Sequence, residues 1–419
     1  MHRLNSRQTH GFDSRVSRPR EQETGEFERN SKLMAEILLV IGVTLLVAFV
    51  FGEVLERVGE PALVGEIIAG LVLGPSVIGL IDYQGTFAMF GIVGAMLLFF
   101  DIGYEHLDLE ELLSVGPAAI SIALFGMIIP GGTGIVLGLV FDYGVAGSAF
   151  LALALSVTSI AVTARTLLDL HQLDSRVGHR IVGAAIVDDV VGLVAFALLL
   201  LALTGDGAFE AVTTLGKVIG FFAIAVIARF AVIERLSAFL ARSRQTGGDI
   251  LTLLGVVFLV SFSAEAAGLD VTLGALVVGL LIGEDERLSR LEVREGIVGI
   301  AYGLFIPLFF AGVGARIDLR VLTGLDAFVI AVVTLGLTAK FVGGFVGNLI
   351  VSGDTRESVA IGVGMIPKAG VELAIISTAL AEGFISSRLF SALVMLVLVS
   401  VLITPSLLQA VLRRAYSTV

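Results

Sequence analysis

Runs of about twenty apolar residues recur along nearly the whole chain, and they constrain its fold more than any other feature. An α-helix rises 1.5 Å per residue, so a run of about 20 residues crosses a hydrocarbon core of about 30 Å. Of the 419 residues, 56% are hydrophobic and only 16% are charged, and the mean hydropathy is +0.99. These values exclude a soluble domain. The sequence therefore predicts an all-α membrane protein that crosses the bilayer many times.

About thirteen segments meet this criterion. Their runs are too long and too continuous for the alternating strands of an outer-membrane barrel, each of roughly ten residues. The ninth segment is the shortest. The predicted spans are 34–54, 62–80, 86–104, 113–140, 146–168, 178–204, 211–233, 249–268, 270–284, 292–314, 324–352, 357–382 and 386–412.

Basic residues in the short loops predict the orientation. If the first segment starts outside, one side receives fourteen of the interhelical and C-terminal Lys and Arg residues and the other receives four. Because cytoplasmic loops collect these residues, the C-terminus is predicted to be cytoplasmic, in a multi-pass protein of the cell membrane. Residues 1–33 form a polar N-terminal tail, for which two interpretations stay open. The tail is disordered, or translation starts at Met34, which directly precedes the first apolar run, and the native protein lacks the tail.

Two adjacent acids interrupt the sixth segment, in the stretch AAIVDDVVGLVAFALLLLAL at 184–203. Asp188 lies about 15 Å into this segment, close to the centre of the bilayer. A charge at that depth costs roughly 2.5–3.5 kcal/mol, so carboxylates there usually mark a proton or ion pathway. Neighbouring helical residues point about 100° apart, which predicts different roles for Asp188 and Asp189.

Two of the four lysines also lie deep in apolar segments. Lys340 is in LGLTAKFVGGFVGNL and Lys368 is in GVGMIPKAGVELAI. Lys340 can neutralise only one of the two aspartates. Glu372 follows Lys368 by four residues, which predicts an ion pair on one helix face.

Two segments carry helix-weakening features at corresponding depths. The fifth has a run of hydroxyl residues that includes Thr158 and Ser159, and the twelfth has Pro367 among several glycines. Interrupted helices in matching positions of two halves predict a transporter whose site lies at the midplane of two inverted repeats. The predicted repeats pair segments four to six with segments eleven to thirteen.

The order and spacing of six stretches resemble the monovalent cation:proton antiporter family, in its sodium/proton branch with paired aspartates. The resemblance covers nearly all of residues 34–413. The stretches are EPALVGEIIAGLVLGPSVIGL, GAMLLFFDIGYEHLDLEEL, SVTSIAVTARTLLDL, IVDDVVGLV, GLDVTLGALVVGLLIG and YGLFIPLFFAGVGARIDL.

The resemblance implies a role for each residue of the predicted site. Asp189 is the carboxylate that binds a monovalent metal cation and a proton in turn, and Lys340 is the charge partner of Asp188. Thr158 and Ser159 belong to a broken crossing helix that supplies oxygen ligands. Unwound carbonyls and a carboxylate suit a hard cation, and protonation of the carboxylate removes the charge of the site.

The resemblance also implies the domain organisation. A core of helices about 113–204 and 324–412 moves against a dimer-forming scaffold of helices about 34–104 and 249–314. Helix 211–233 links them within the transporter domain at 34–413. The expected exchange is electrogenic, and the expected assembly is a homodimer in the lipid bilayer.

Some residues depart from the family pattern. After Pro367 the branch usually has an arginine followed closely by glycine and glutamate, whereas this chain has Lys368 and a later glutamate, Glu372. Asp101 is interpreted as a solvated acid at the cytoplasmic rim, and Glu66 as a structural residue.

Alternatives to sodium or lithium antiport are potassium efflux without a nucleotide-binding domain, organic-anion symport, and a scaffold that transports nothing. The last leaves the buried charges unexplained. No enzymatic motif, cofactor or nucleic-acid partner is indicated, so the expected partners are monovalent cations, most of all sodium, and protons.

Overall fold

The structure of the chain is a computed structural model that describes residues 18–204, 208–231, 233, 235–236, 248–285, 293–317, 319, 326–369 and 371–416. Throughout these residues the regular secondary structure is helical. Ten helices within them are long and apolar enough to cross a membrane. The predicted all-α membrane fold is therefore confirmed, while the number of thirteen crossings stays a prediction.

Seventeen α-helices are assigned within the described residues, and two π-helical turns, Ile102–His106 and Ala301–Phe305, continue α-helices. Their bounds in chain order are α1 (Arg18–Arg57), α2 (Ala62–Leu73), α3 (Gly85–Asp101), α4 (Leu109–Ser114), α5 (Gly116–Val140), α6 (Gly144–Ser156), α7 (Ile160–Asp169), α8 (Arg176–Thr204), α9 (Ala208–Ala231), α10 (Gly248–Ala266), α11 (Val271–Gly283), α12 (Val293–Ile300), α13 (Ile306–Ala315), α14 (Ala327–Ser352), α15 (Thr355–Gly364), α16 (Val371–Ala381) and α17 (Ser387–Tyr416).

Several predicted segments differ from the helices observed. The second and ninth segments contain only the short apolar helices α2 and α11. The fifth segment consists of α6 and α7 with a break between them, and the twelfth consists of α15 and α16 with a longer break. Both breaks fall at the hydroxyl and proline positions that the sequence indicated.

The first helix starts earlier than the apolar run that predicted it. It begins at Arg18, so residues 18–33 extend α1 into the segment predicted to be a polar tail. The described residues up to Val43 form one compact unit, and Thr44–Val419 form another. Residues 1–17 lie outside the described part of the chain. That translation starts at Met34 stays a prediction.

Glycine allows the short helix α2 to lie directly against α13. A methyl group added at Gly70 would overlap the carbonyl oxygen of Ala311, and one added at Gly314 would overlap that of Ile67. Such close backbone approach is typical of membrane helices, which associate through van der Waals packing of small residues because lipid provides no hydrophobic driving force between them.

The helix that carries Lys340 has a charged N-cap outside its apolar span. The Asp326 carboxylate accepts a hydrogen bond from the backbone N–H of Val329 at 3.0 Å and one from Nε of Arg388 at 2.8 Å. These two donors lower the pKa of Asp326. The cap fixes the start of α14 and ties it to α17.

Candidate ion-binding site

The two interrupted helices meet at their breaks. The chain is extended between the end of α6 and the start of α7, and non-helical between α15 and α16. The backbone N–H of Ser159 in the first break donates to the carbonyl oxygen of Pro367 in the second, at 2.9 Å. Irregular backbone at membrane depth is tolerated only where protein satisfies its polar groups, and here each break helps to satisfy the other.

Two threonine hydroxyls strengthen this contact from the side of the first break. Thr163 Oγ1 donates to the carbonyl of Gly364 at 2.6 Å, and Thr158 Oγ1 donates to that of Met365 at 3.4 Å. Both side chains are buried. They cover carbonyls at the end of α15 that have no partner within their own helix.

Two lysine ammonium groups lie at the C-terminal end of α6. Lys340 Nζ donates to the carbonyl of Ser156 and, at 2.9 Å, to that of Gly126 in α5. Lys368 Nζ donates to the carbonyl of Val157 and, at 2.9 Å, to that of Leu155. The C-terminus of a helix carries about half a negative charge, so two cations stabilise this half-helix end inside the bilayer.

Asp188 completes the environment of Lys340. Its Oδ2 lies 3.2 Å from Lys340 Nζ, and both side chains are fully buried. Its Oδ1 is also buried and has no hydrogen-bond partner among the described residues. Each charge compensates the desolvation of the other, and removing either would leave a charge buried at large cost.

Asp189 occupies a different environment from its neighbour. Its side chain is half-buried, in contrast to the fully buried Asp188. About one turn further along α8, a Cβ added at Gly192 would lie 3.0 Å from Val157 Cγ2. Helix α8 therefore runs past the first break at the depth of the two aspartates, which is near the middle of its apolar span.

The structure brings together most of the residues that the sequence singled out. Asp188, Lys340 and the Thr158–Ser159 break lie in one continuous set of contacts with the second break, and Asp189 is adjacent to Asp188 along α8. Their roles in transport stay predictions.

Two expectations about this region need correction. Lys368 does not share a helix face with Glu372, because it lies in the non-helical break before α16. The side chain of Glu372 lies outside the described part of the chain, so the ion pair stays a prediction. The carbonyls of Ser156 and Val157, at the end of α6 and in the first break, both accept hydrogen bonds from lysines in this conformation, so they differ from the open carbonyl ligands that were expected.

Sequence reasoning missed the partners of Lys368. It considered only a carboxylate in the same segment and did not predict that the ammonium donates to carbonyls at the end of α6. One signal was present: Pro367, among several glycines, disfavours a continuous helix at this position, so helical spacing is a weak guide to the neighbours of Lys368.

Asp101 was also misinterpreted. It is 3% exposed, and Tyr302 donates its hydroxyl to Asp101 Oδ2 at 3.0 Å. It is therefore not a solvated acid at the rim, because α3 continues as a π-helical turn past this position before the chain leaves the bundle.

The chain is similar in sequence to known proteins. The model of the family described as "Sodium/hydrogen exchanger, transmembrane" matches residues 42–414. The chain is 29% identical to the Na(+)/H(+)-K(+) antiporter GerN of Bacillus cereus, over 89% of this chain and 96% of that one. It is 28% identical to the high-affinity Na(+)/H(+) antiporter NhaS3 of Synechocystis, over 91% of each chain.

The fold also resembles a solved structure, that of the sodium proton antiporter MjNhaP1 from Methanocaldococcus jannaschii. The TM-score is 0.65 at 16% identity, over 92% of this chain and 97% of that one. At this identity the likeness concerns the fold alone. Because the family model covers most of the chain in a single match, the chain belongs to the transmembrane sodium/hydrogen exchanger family.

Proposed function

We propose that the protein is a secondary antiporter that exchanges sodium, or lithium, for protons across the cell membrane. The observation that carries this proposal is the different environment of the two aspartates. Asp188 is fully buried against Lys340, whereas Asp189 is half-buried in the same helix turn beside the crossing of two broken helices. Asp188 thus faces a fixed cation, and the half-buried Asp189 is the carboxylate that the proposal assigns to the transported one.

Competition for Asp189 gives exchange. In the ionised form its carboxylate, together with hydroxyl oxygens at the first break, binds a monovalent cation. Protonation removes the negative charge and releases the cation, because a neutral carboxyl is a much weaker ligand. A proton and a cation then occupy the site in turn, and each drives the other across the membrane when the site faces alternate sides.

The proposed domain organisation and assembly are those expected for the family. Helices of the core, at about 113–204 and 324–412, carry the site past a scaffold at about 34–104 and 249–314, with 211–233 as the linker. The scaffold forms a homodimer, the C-terminus is cytoplasmic, and transport is electrogenic. The fixed charge of Lys340 at the half-helix end supports a rigid core, since its contacts join α5, α6, α8 and α14.

Potassium is the second candidate ion. The printed name of the relative GerN includes potassium, and K(+)/H(+) antiporter 1 of Saccharomyces cerevisiae is 26% identical over 85% of this chain. The names of GerN and NhaS3 both include sodium, which favours sodium for this chain.

Everted membrane vesicles with a pH-sensitive dye test the proposal. Addition of sodium or lithium to energised vesicles should dissipate the proton gradient, and Asp189→Asn should abolish the response because an amide neither ionises nor carries a proton. Asp142→Asn is the matched control, since Asp142 is an exposed loop residue whose positive φ suits asparagine. It should exchange like the wild type.

Two other outcomes of the vesicle assay would contradict part of the proposal. Undiminished exchange in Asp189→Asn, at equal amounts of protein in the membrane, would reject the proposed site. Dissipation by potassium but not by sodium would replace the proposed ion and leave the site in place.

A further inference from the structure

A second polar cluster lies at the other end of half-helix α7 from the ion site. The Arg165 guanidinium lies 4.6 Å from the ring centroid of Tyr302 and forms an ion pair with Asp169 at 3.0 Å. The Tyr302 hydroxyl in turn donates to Asp101, which is 3% exposed. The cluster is largely buried, with the side chains of Arg165 and Asp169 exposed by 12% and 28%.

The fourth element of the cluster is α2. The Glu66 carboxyl is 8% exposed and interacts electrostatically with Arg165 and Asp169. The buried atoms Glu66 Oε2 and Arg165 Nη1 have no hydrogen-bond partner among the described residues. Polar atoms buried without a partner cost free energy, so the cluster stabilises this conformation through its other contacts, the Arg165–Asp169 ion pair and the contact of Arg165 with the Tyr302 ring.

The cluster connects parts of the chain that the proposed mechanism moves against each other. Arg165 and Asp169 belong to α7, in the proposed core. Glu66 is in α2, Asp101 ends α3, and Tyr302 is in the π-helical turn between α12 and α13, all in the proposed scaffold. A movement of the core along the scaffold must therefore separate the guanidinium from the ring.

We propose that Arg165 and Tyr302, supported by Asp101, Asp169 and Glu66, form a latch between half-helix α7 and the scaffold that favours the conformation seen here over the one facing the opposite side. The inference rests on the proposed antiport mechanism. The latch residues are positioning residues: the N-terminus of α7 contributes to the ion-site break, so the latch sets how often that site faces each side. They do not bind the transported ion.

The latch is tested by comparing the apparent KM for sodium on the two sides of the membrane. A latch that favours one conformation lowers the apparent KM on the side to which that conformation is open and raises it on the other, because only the competent fraction binds. Arg165→Lys, which keeps the charge but loses the flat guanidinium, should change the ratio of the two KM values by at least about fivefold. The ratio is measured in everted and right-side-out vesicles from the same cells.

A graded pair at Tyr302 provides a second measurement in case Arg165→Lys does not fold. Tyr302→Leu removes the ring and should shift the KM ratio in the same direction as Arg165→Lys. Tyr302→Phe keeps the ring beneath the guanidinium and should shift it less.

A similar contact within the scaffold gives the matched control. The Arg316 guanidinium lies 4.0 Å from the ring centroid of Tyr83, and both residues flank scaffold helices. Arg316→Lys removes the same kind of interaction without crossing the moving interface. It should leave the KM ratio at the wild-type value.

The outcomes separate the latch from the antiport mechanism. If the wild type shows no sodium-dependent proton movement, the proposed function fails. If the wild type exchanges but Arg165→Lys and Tyr302→Leu merely lower the maximal rate equally in both vesicle types, with an unchanged KM ratio, the residues are structural and the latch is rejected.

Cross-linking tests the movement itself without relying on affinity. The wild-type sequence has no cysteine, so a double variant Arg165→Cys/Tyr302→Cys carries the only two thiols. A bis-thiol reagent with a reducible linker should block exchange, and a reductant should restore it. Full exchange in the cross-linked protein would show that these two elements do not separate during transport.

Discussion

At the scale of single residues, the two lysines buried at the helix breaks donate hydrogen bonds to backbone carbonyls of other helices. The contacts of Lys340 include Asp188 and the carbonyls of Gly126 and Ser156, and those of Lys368 include the carbonyls of Leu155 and Val157. Helical spacing predicted only local ion pairs. The sequence could show that these charges are too costly to lie in lipid, but a carbonyl acceptor exists at every residue and leaves no signature in sequence.

The Asp188–Lys340 pair gives the residue-scale prediction. Lys340→Ala should lower the free energy of unfolding by about 3–5 kcal/mol, because it leaves Asp188 as an uncompensated buried charge. The double variant Asp188→Asn/Lys340→Ala should be less destabilised than the sum of its single variants. The measurement is reversible unfolding of the purified protein in mixed detergent micelles.

Lys217→Ala serves as the control for that series, since Lys217 is exposed in α9. It should unfold like the wild type. Strictly additive effects of the Asp188 and Lys340 substitutions would show that the contact at 3.2 Å contributes no coupling to stability.

At the scale of elements, the breaks were predictable and their mutual contact was not. Pro367 cannot donate to a helical hydrogen bond, and the glycines around it weaken the helix, so the interruption of the twelfth segment was visible in the sequence. The hydrogen bond from Ser159 to Pro367 joins residues far apart along the chain. Only the packing of α6, α7, α15 and α16 brings them together.

The crossing of α2 and α13 gives the element-scale prediction. Gly70→Ala should lower the free energy of unfolding by about 1–3 kcal/mol, because the added methyl overlaps the Ala311 carbonyl and forces the helices apart. Gly255→Ala in α10 is the control, since no atom lies within 4 Å of its added Cβ. Thermal unfolding in detergent measures both; equal stability of the two variants would contradict the close crossing.

At the scale of the whole molecule, the orientation in the membrane is a prediction from the loops. The Lys and Arg distribution predicts that the C-terminal end of α17 lies in the cytoplasm and its N-terminal end outside. Because the chain has no cysteine, labelling of a single introduced cysteine measures the orientation directly. An impermeant maleimide should label Ser387→Cys from outside in right-side-out vesicles and Arg414→Cys only in everted ones, because both positions are exposed at opposite ends of one helix.

The unmodified cysteine-free protein is the labelling control and should remain unreacted. The opposite pattern, with Arg414→Cys labelled only from outside, would invert the orientation. The exchange mechanism would then stand with its two sides reversed.

The sequence alone determined that this chain is a multi-pass helical membrane protein with costly charges at bilayer depth, because hydropathy and helix-breaking residues act locally. The tertiary structure decided which oxygen satisfies each charge. It paired Lys340 with Asp188, directed Lys368 to the end of α6, and buried Asp101 beneath Tyr302. Such pairings depend on which helices pack together, and packing between distant segments is a property of the folded chain.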